Sequence, residues 1–176
     1  QYNVQYTYTG GWKALAPVYV GIPNATLHAC YPYNVITFAA NSTTCTLIAQ
    51  KYDATKDLCY AKTGGAAVCN KTPNATFAMT RAYSRIQLSI KRHATNYVGN
   101  CNITNVNIKH STGTNFFVNR TLDISSGTNG GSATAGGWTY GLNTGNMAAN
   151  ATNTAYDVLV PPQPVSGGLT ITLTID

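Results

Sequence analysis

Five aspartates, three histidines and five cysteines are the side chains of this sequence with the types needed for acid–base, nucleophilic or metal chemistry. Catalysis by paired carboxylates requires two acids that converge on one bond. Asp53 and Asp57 are the nearest such pair, but they flank a short polar turn, where solvated capping explains them better. Asp123, Asp157 and Asp176 complete the supply of acids, since the chain has no Glu. His28, His93 and His110 lie in or beside stretches that alternate like strands, and no G-x-S-x-G turn is present to raise a nucleophile. Cys30, Cys45, Cys59, Cys69 and Cys101 lack C-x-x-C spacing and a His pair, so a zinc site is not expected, and no pairing among them can be assigned. The Gly-Gly dipeptides, Gly10-Gly11 and Gly167-Gly168 among them, open no helix and are turns rather than phosphate cradles. We therefore expect no catalytic residues, no metal and no cofactor.

Two binding chemistries remain. Trp138 and Tyr140 stand in a Gly-, Ser- and Thr-rich stretch, 125–154, that reads as a long loop. There they form a candidate ligand loop for stacking on a sugar ring, against the alternative that Trp138 anchors the loop. Arg81, Arg85, Lys91, Arg92 and His93 are the one dense basic cluster. On a strand they alternate between faces instead of forming a stripe, which argues against nucleic acid and for a charged, defended sheet edge.

The elements that must position these residues are strands. Only 9% of the 176 residues are charged while 44% are apolar, with 12 tyrosines, so the surface is built from hydroxyls and amides over a real core. The net charge of +6 reflects a shortage of acids rather than a basic patch. Tyr2, Val4, Tyr6 and Tyr8 alternate with polar residues before Gly10-Gly11. Short strands are expected at Ala16–Val20, Ala25–Tyr31, Val35–Ala39, Cys45–Ala49, Leu58–Ala61, Ala66–Val68 and Ala75–Met79. Ile86, Leu88 and Ile90 share one face, and residues 80–85 suit a helical turn. Residues 102–108 alternate imperfectly, as a bulge would make them. Leu169, Ile171, Leu173 and Ile175 form the cleanest alternating strand, behind a connector with Pro161, Pro162, Pro164 and Gly167-Gly168. Many short strands at regular spacing predict an all-β fold, a single β-sandwich domain over residues 1–176 with about seven or more strands and Greek-key type connections. No apolar run is long enough to span a membrane, and no basic, apolar leader precedes the first strand, so the chain reads as a processed form.

Several stretches, in order, carry a resemblance. They are Trp12 with Ala16-Pro17-Val18-Tyr19, Ala29-Cys30-Tyr31-Pro32-Tyr33-Asn34, Lys56-Asp57-Leu58-Cys59-Tyr60-Ala61, the segment from Ala75 to Ile86, and Thr121-Leu122-Asp123-Ile124 before Ser125-Ser126-Gly127. Together, over residues 12 to 127, they resemble the fimbrillin family, subunits of type V pili on Gram-negative anaerobes. The resemblance implies a transthyretin-like sandwich and export to the cell surface through a lipoprotein precursor. It further implies removal of a leading strand and assembly by strand exchange between copies. The sequence departs from the family in its single-domain length, its lack of Glu and its five cysteines. Independently of the family, a sandwich lacking a strand exposes an unpaired ladder beside an apolar groove. The exchangeable strands are expected at the two ends, 1–9 and 168–176. The interface residues would be Tyr2, Val4, Tyr6 and Tyr8 at one end, and Leu169, Ile171, Leu173 and Ile175 at the other. Expected partners are other copies of the chain in a filament, with anchor or tip subunits, and, for a surface adhesin or glycan-binding tip module, a host glycan or protein receptor.

Overall fold

The computed structural model describes residues 3–61, 66–112, 115–131 and 137–176. Among them are sixteen strands and no helix. They are β1 (Tyr6–Tyr8), β2 (Trp12–Ala14), β3 (Ala25–Leu27), β4 (Cys30–Tyr31), β5 (Thr44–Ile48), β6 (Gln50–Lys51), β7 (Cys59–Ala61) and β8 (Ala66–Val68). The second half adds β9 (Met79–Arg81), β10 (Ser84–Lys91), β11 (Ile103–His110), β12 (Asn119–Asp123), β13 (Thr128–Gly130), β14 (Trp138–Gly141), β15 (Thr152–Val160) and β16 (Leu169–Ile175). Antiparallel ladders join β1 to β2, β3 to β8, β7 to β4 and β9, β12 to β13, β15 to β10 and β6, and β11 to β14 and β16. The fold is thus all-β, as the alternation predicts.

The chain forms two compact units: one of Gln1–Thr46, Ala54–Ala82 and Thr121–Gly130, the other of Leu47–Asp53, Tyr83–Arg120 and Gly131–Asp176. The first is built from small ladders, β1-β2, β3-β8 and β4-β7-β9, with the β12–β13 hairpin. Leu58, Tyr60, Val68, Leu122 and Ile124 are buried in it. Burial pushes the Cys45 thiol up to about 11, which keeps it an inert thiol. Asp57 is buried, and its carboxylate meets the guanidinium of Arg81 at 3.4 Å.

The second unit is a β-sandwich. One sheet has the order β10-β15-β6 and the other β14-β11-β16. Ile103, Val106 and Ile108 of β11 share a core with Tyr156, Val158 and Val160 of β15, because period-two alternation delivers each set to one face. Ile86, Leu88 and Ile90 of β10 pack against the same core, while Arg85, Gln87, Ser89 and Lys91 point to solvent. Arg85 donates two hydrogen bonds to Asp157, at 2.8 and 2.6 Å, and lies over the Tyr52 ring at 3.6 Å. Of the basic cluster, Arg85 and Lys91 thus lie on an edge strand, while Arg81 belongs to β9 and Arg92 and His93 follow the end of β10. Burial pushes the Tyr156 phenol up to about 12.

Some segments differ from the expectation. Ala16–Val20 and Val35–Ala39 form no strand, and Ala75–Ala78 leads irregularly into β9. Residues 80–85 make the end of β9, a bend and the start of β10 instead of a helical turn. The expected long loop carries both β13 and β14. The bulge expected within 102–108 is present as a register shift between Ile103 and Asn105.

Candidate assembly site

At the carboxyl end, β16 lies beside β11 in a seven-pair ladder that includes His110↔Leu169, Ile108↔Ile171, Val106↔Leu173 and Ile103↔Ile175. Directly opposed residues in a ladder share a face. Leu169, Ile171, Leu173 and Ile175 therefore all stand on the side of β11 that faces the core. Leu169 and Leu173 do pack on that core. Ile171 and Ile175, on the same face, remain 42% and 43% exposed. The sandwich is open along this strand: its inner face extends past what the opposing sheet covers. β16 is also the sheet's edge, and its outer backbone has no ladder partner among the described residues. No charge lies between Leu169 and Ile175, so none of the usual edge defences operates there.

The amino end differs. Tyr2 lies outside the described residues. Among the described residues, Tyr6–Tyr8 forms a ladder only with Trp12–Ala14, with Tyr8 opposite Trp12 and their rings 5.5 Å apart, edge to face. Val4 is half-buried, while Tyr6 and Tyr8 are exposed. Six of the fifteen exposed large apolar residues, counted among the described ones, fall between Tyr6 and Ile22. A two-stranded hairpin with an uncovered aromatic face is only marginally stable alone.

Trp138 and Tyr140 stand on β14, opposite Ile108 and Val106 of β11, and so face the core. Their rings are 5.8 Å apart, and Tyr140 meets the buried Tyr156 edge to face at 5.6 Å. Sequence reasoning placed them in a loop because the Gly-rich flanks hide a strand whose partner lies about thirty residues away.

The connector between β15 and β16 is held along its length. The Gln163 carboxamide accepts from Phe117 N–H at 2.8 Å and meets His110 Nε2 at 3.0 Å through Oε1, and its Nε2 donates to Phe117 O at 3.2 Å and Pro161 O at 3.3 Å. Arg120 Nη1 donates to Pro162 O at 2.6 Å, Thr112 Oγ1 to Ser166 O at 3.2 Å, and Ser111 N–H to Gly168 O at 3.1 Å. Gly167 and Gly168 turn the chain into β16 at φ 76° and 90°, the left-handed region, and a Cβ on Gly167 would collide with the Thr112 methyl. These residues carried no pattern except the Pro and Gly punctuation.

Among the described residues, no three His, Cys, Asp or Glu side chains gather in a metal-binding group. All five cysteines are free thiols. Asp123 is a turn residue: hydrogen bonds from Ser125 and Thr43 hold its carboxyl down to about 2. Asp157 is likewise lowered, first by its bond from Arg85. An unfolded Asp titrates near about 4, so these folded groups stabilise the chain above that pH and lose the contribution as pH falls toward 2. Thermal unfolding followed from pH 7 to pH 2 is expected to show a falling midpoint below about pH 4. Asp123→Asn should shrink that fall without removing Asp157's part. Identical acid slopes for the two proteins would refute the assignment.

The fold is all-β, with an uncharged apolar edge at β16. The chain belongs to the fimbrillin-like family, whose family model matches residues 2–176. That family is structural, and its members build extracellular, cell-surface filaments. A comparison with curated proteins finds no match.

Proposed function

We propose that this chain is a pilin that polymerises by donor-strand pairing, acting as one subunit over residues 1–176. The observation that carries the reading is the inner face of β16, where Ile171 and Ile175 stay exposed beside an uncharged, unpaired edge. An apolar strip next to unpaired N–H and C=O groups is what an added strand covers, with main-chain bonds giving affinity and alternate side chains giving register. The uncovered aromatic face of Tyr6 and Tyr8 supports a second point of contact between copies, and Val4 and Tyr2 extend the same strand pattern. Export as a lipoprotein precursor and association with anchor or tip subunits belong to the same proposal, and membership of a filament-building family supports them. A glycan-binding role for Trp138 and Tyr140 has less support, since both rings face the core.

A synthetic peptide of residues 1–9, which carries the strand pattern at the other end of the chain, tests this in trans. Added in excess to monomer, it should suppress filaments seen by negative stain and light scattering, while a scrambled peptide does not. Equal growth with both peptides overturns the reading.

A further inference from the structure

We propose that Gln163 is a latch that keeps β16 docked in its own sheet, so that release of the strand is governed at the connector rather than along the β11 ladder alone. The inference deepens the donor-strand reading and rests on it for its biological consequence; the latch itself is a property of the single chain. Three observations carry it. Gln163 is half-buried, and each of its carboxamide atoms has two partners: Phe117 N–H and His110 Nε2 at the oxygen, Phe117 O and Pro161 O at the nitrogen. The same His110 closes the β11–β16 ladder opposite Leu169, so the latch grips the first pair of the strand it retains. Finally, the proline carbonyls on either side of the residue before Gln163 are both engaged, Pro161 O by Gln163 itself and Pro162 O by Arg120, which leaves this part of the connector little freedom to lift by itself.

The physical logic is one of shared cost. Moving β16 away drags the connector, and the connector cannot move without exposing the half-buried Gln163, the buried His110 and the Phe117 backbone without their bonds. A buried polar group that loses its partner is penalised beyond the bond's own net worth. A latch of this kind makes β16 stay home in the monomer and leave as one cooperative unit.

Amide hydrogen exchange on the monomeric full chain, below the concentration at which filaments form, tests it. Gln163→Ala should speed exchange at residues 169–175 about tenfold to a hundredfold while residues 84–91 and 152–160 keep their protection. Gln163→Glu retains both acceptor contacts but sets a carboxylate oxygen against the Phe117 and Pro161 carbonyls, so it too should speed exchange at 169–175, and it serves as the readable variant if the alanine protein fails to fold. Unchanged exchange at 169–175, or an equal rise across all three strands, overturns the latch. Faster exchange at 169–175 with no change in filament growth keeps the latch and overturns strand exchange instead.

Discussion

Replacing Ile171 and Ile175 together by lysine should leave a folded monomer that no longer forms filaments. The two side chains are 42% and 43% exposed, so in the isolated chain each lysine stem lies along the apolar strip while its ammonium reaches water. The expected loss of monomer stability is about 1 kcal/mol or less for the pair. Once another copy's strand covers the strip, the same ammonium groups lose their water, and although Asp176 adjoins position 175, no acid lies within β16 itself to pair with the lysine at 171. Burying an unpaired charge costs several kcal/mol, enough to abolish growth at micromolar concentration. Sedimentation and negative stain on the variant and wild type decide it. Filaments of normal length from the double variant would mean that the strip is not the contact.

Deleting residues 169–176 should be the more severe change, acting on both the fold and its assembly. The strand contributes two half-buried leucines, worth roughly 1 kcal/mol each, and a full ladder on β11. Its removal turns the central strand into an edge and uncovers Val106 and Ile108, for a total on the order of 3–5 kcal/mol out of the 5–15 typical of a domain. The truncated chain is expected to stay monomeric by light scattering, with a lower denaturant midpoint. Adding the 169–176 peptide should restore much of that midpoint, since the groove it left is complementary to it. A truncated protein as stable and as filamentous as the full chain would remove β16 from both roles.

Legibility in the sequence tracked how local the cause was. Residues 169–175 and 84–91 announced themselves because one face of each meets a core, which forces strict alternation. The imperfect alternation across 102–108 matched a register shift in the ladder it forms. Ala16–Val20 and Val35–Ala39 look as apolar as true strands, yet no ladder among the described residues includes them, and their side chains are largely exposed or half-buried. Conversely β14 is made by a partner: Trp138-Thr139-Tyr140 gains its conformation from Asn105–Ile108, and no window around it predicts that. The candidate site divides the same way. Leu169, Ile171, Leu173 and Ile175 were readable as one face, but which two would stay uncovered depends on how far the opposing sheet extends. The Gln163 contacts with Phe117 and His110 span 46 and 53 positions along the chain, and no spacing rule reaches them.

The contrast between the two long edge strands bears on the symmetry of what is built. β10 is guarded by Arg85 and Lys91, whereas β16 carries no charge at all. If the unguarded edge met its own likeness in another copy, the pair would close about a two-fold axis and growth would stop at two. A chain of subunits requires unlike surfaces to meet head to tail. If copies join through the open strip as proposed, the strip must meet a different kind of surface on its neighbour, so that each added copy presents the same unsatisfied end again and the assembly has a direction.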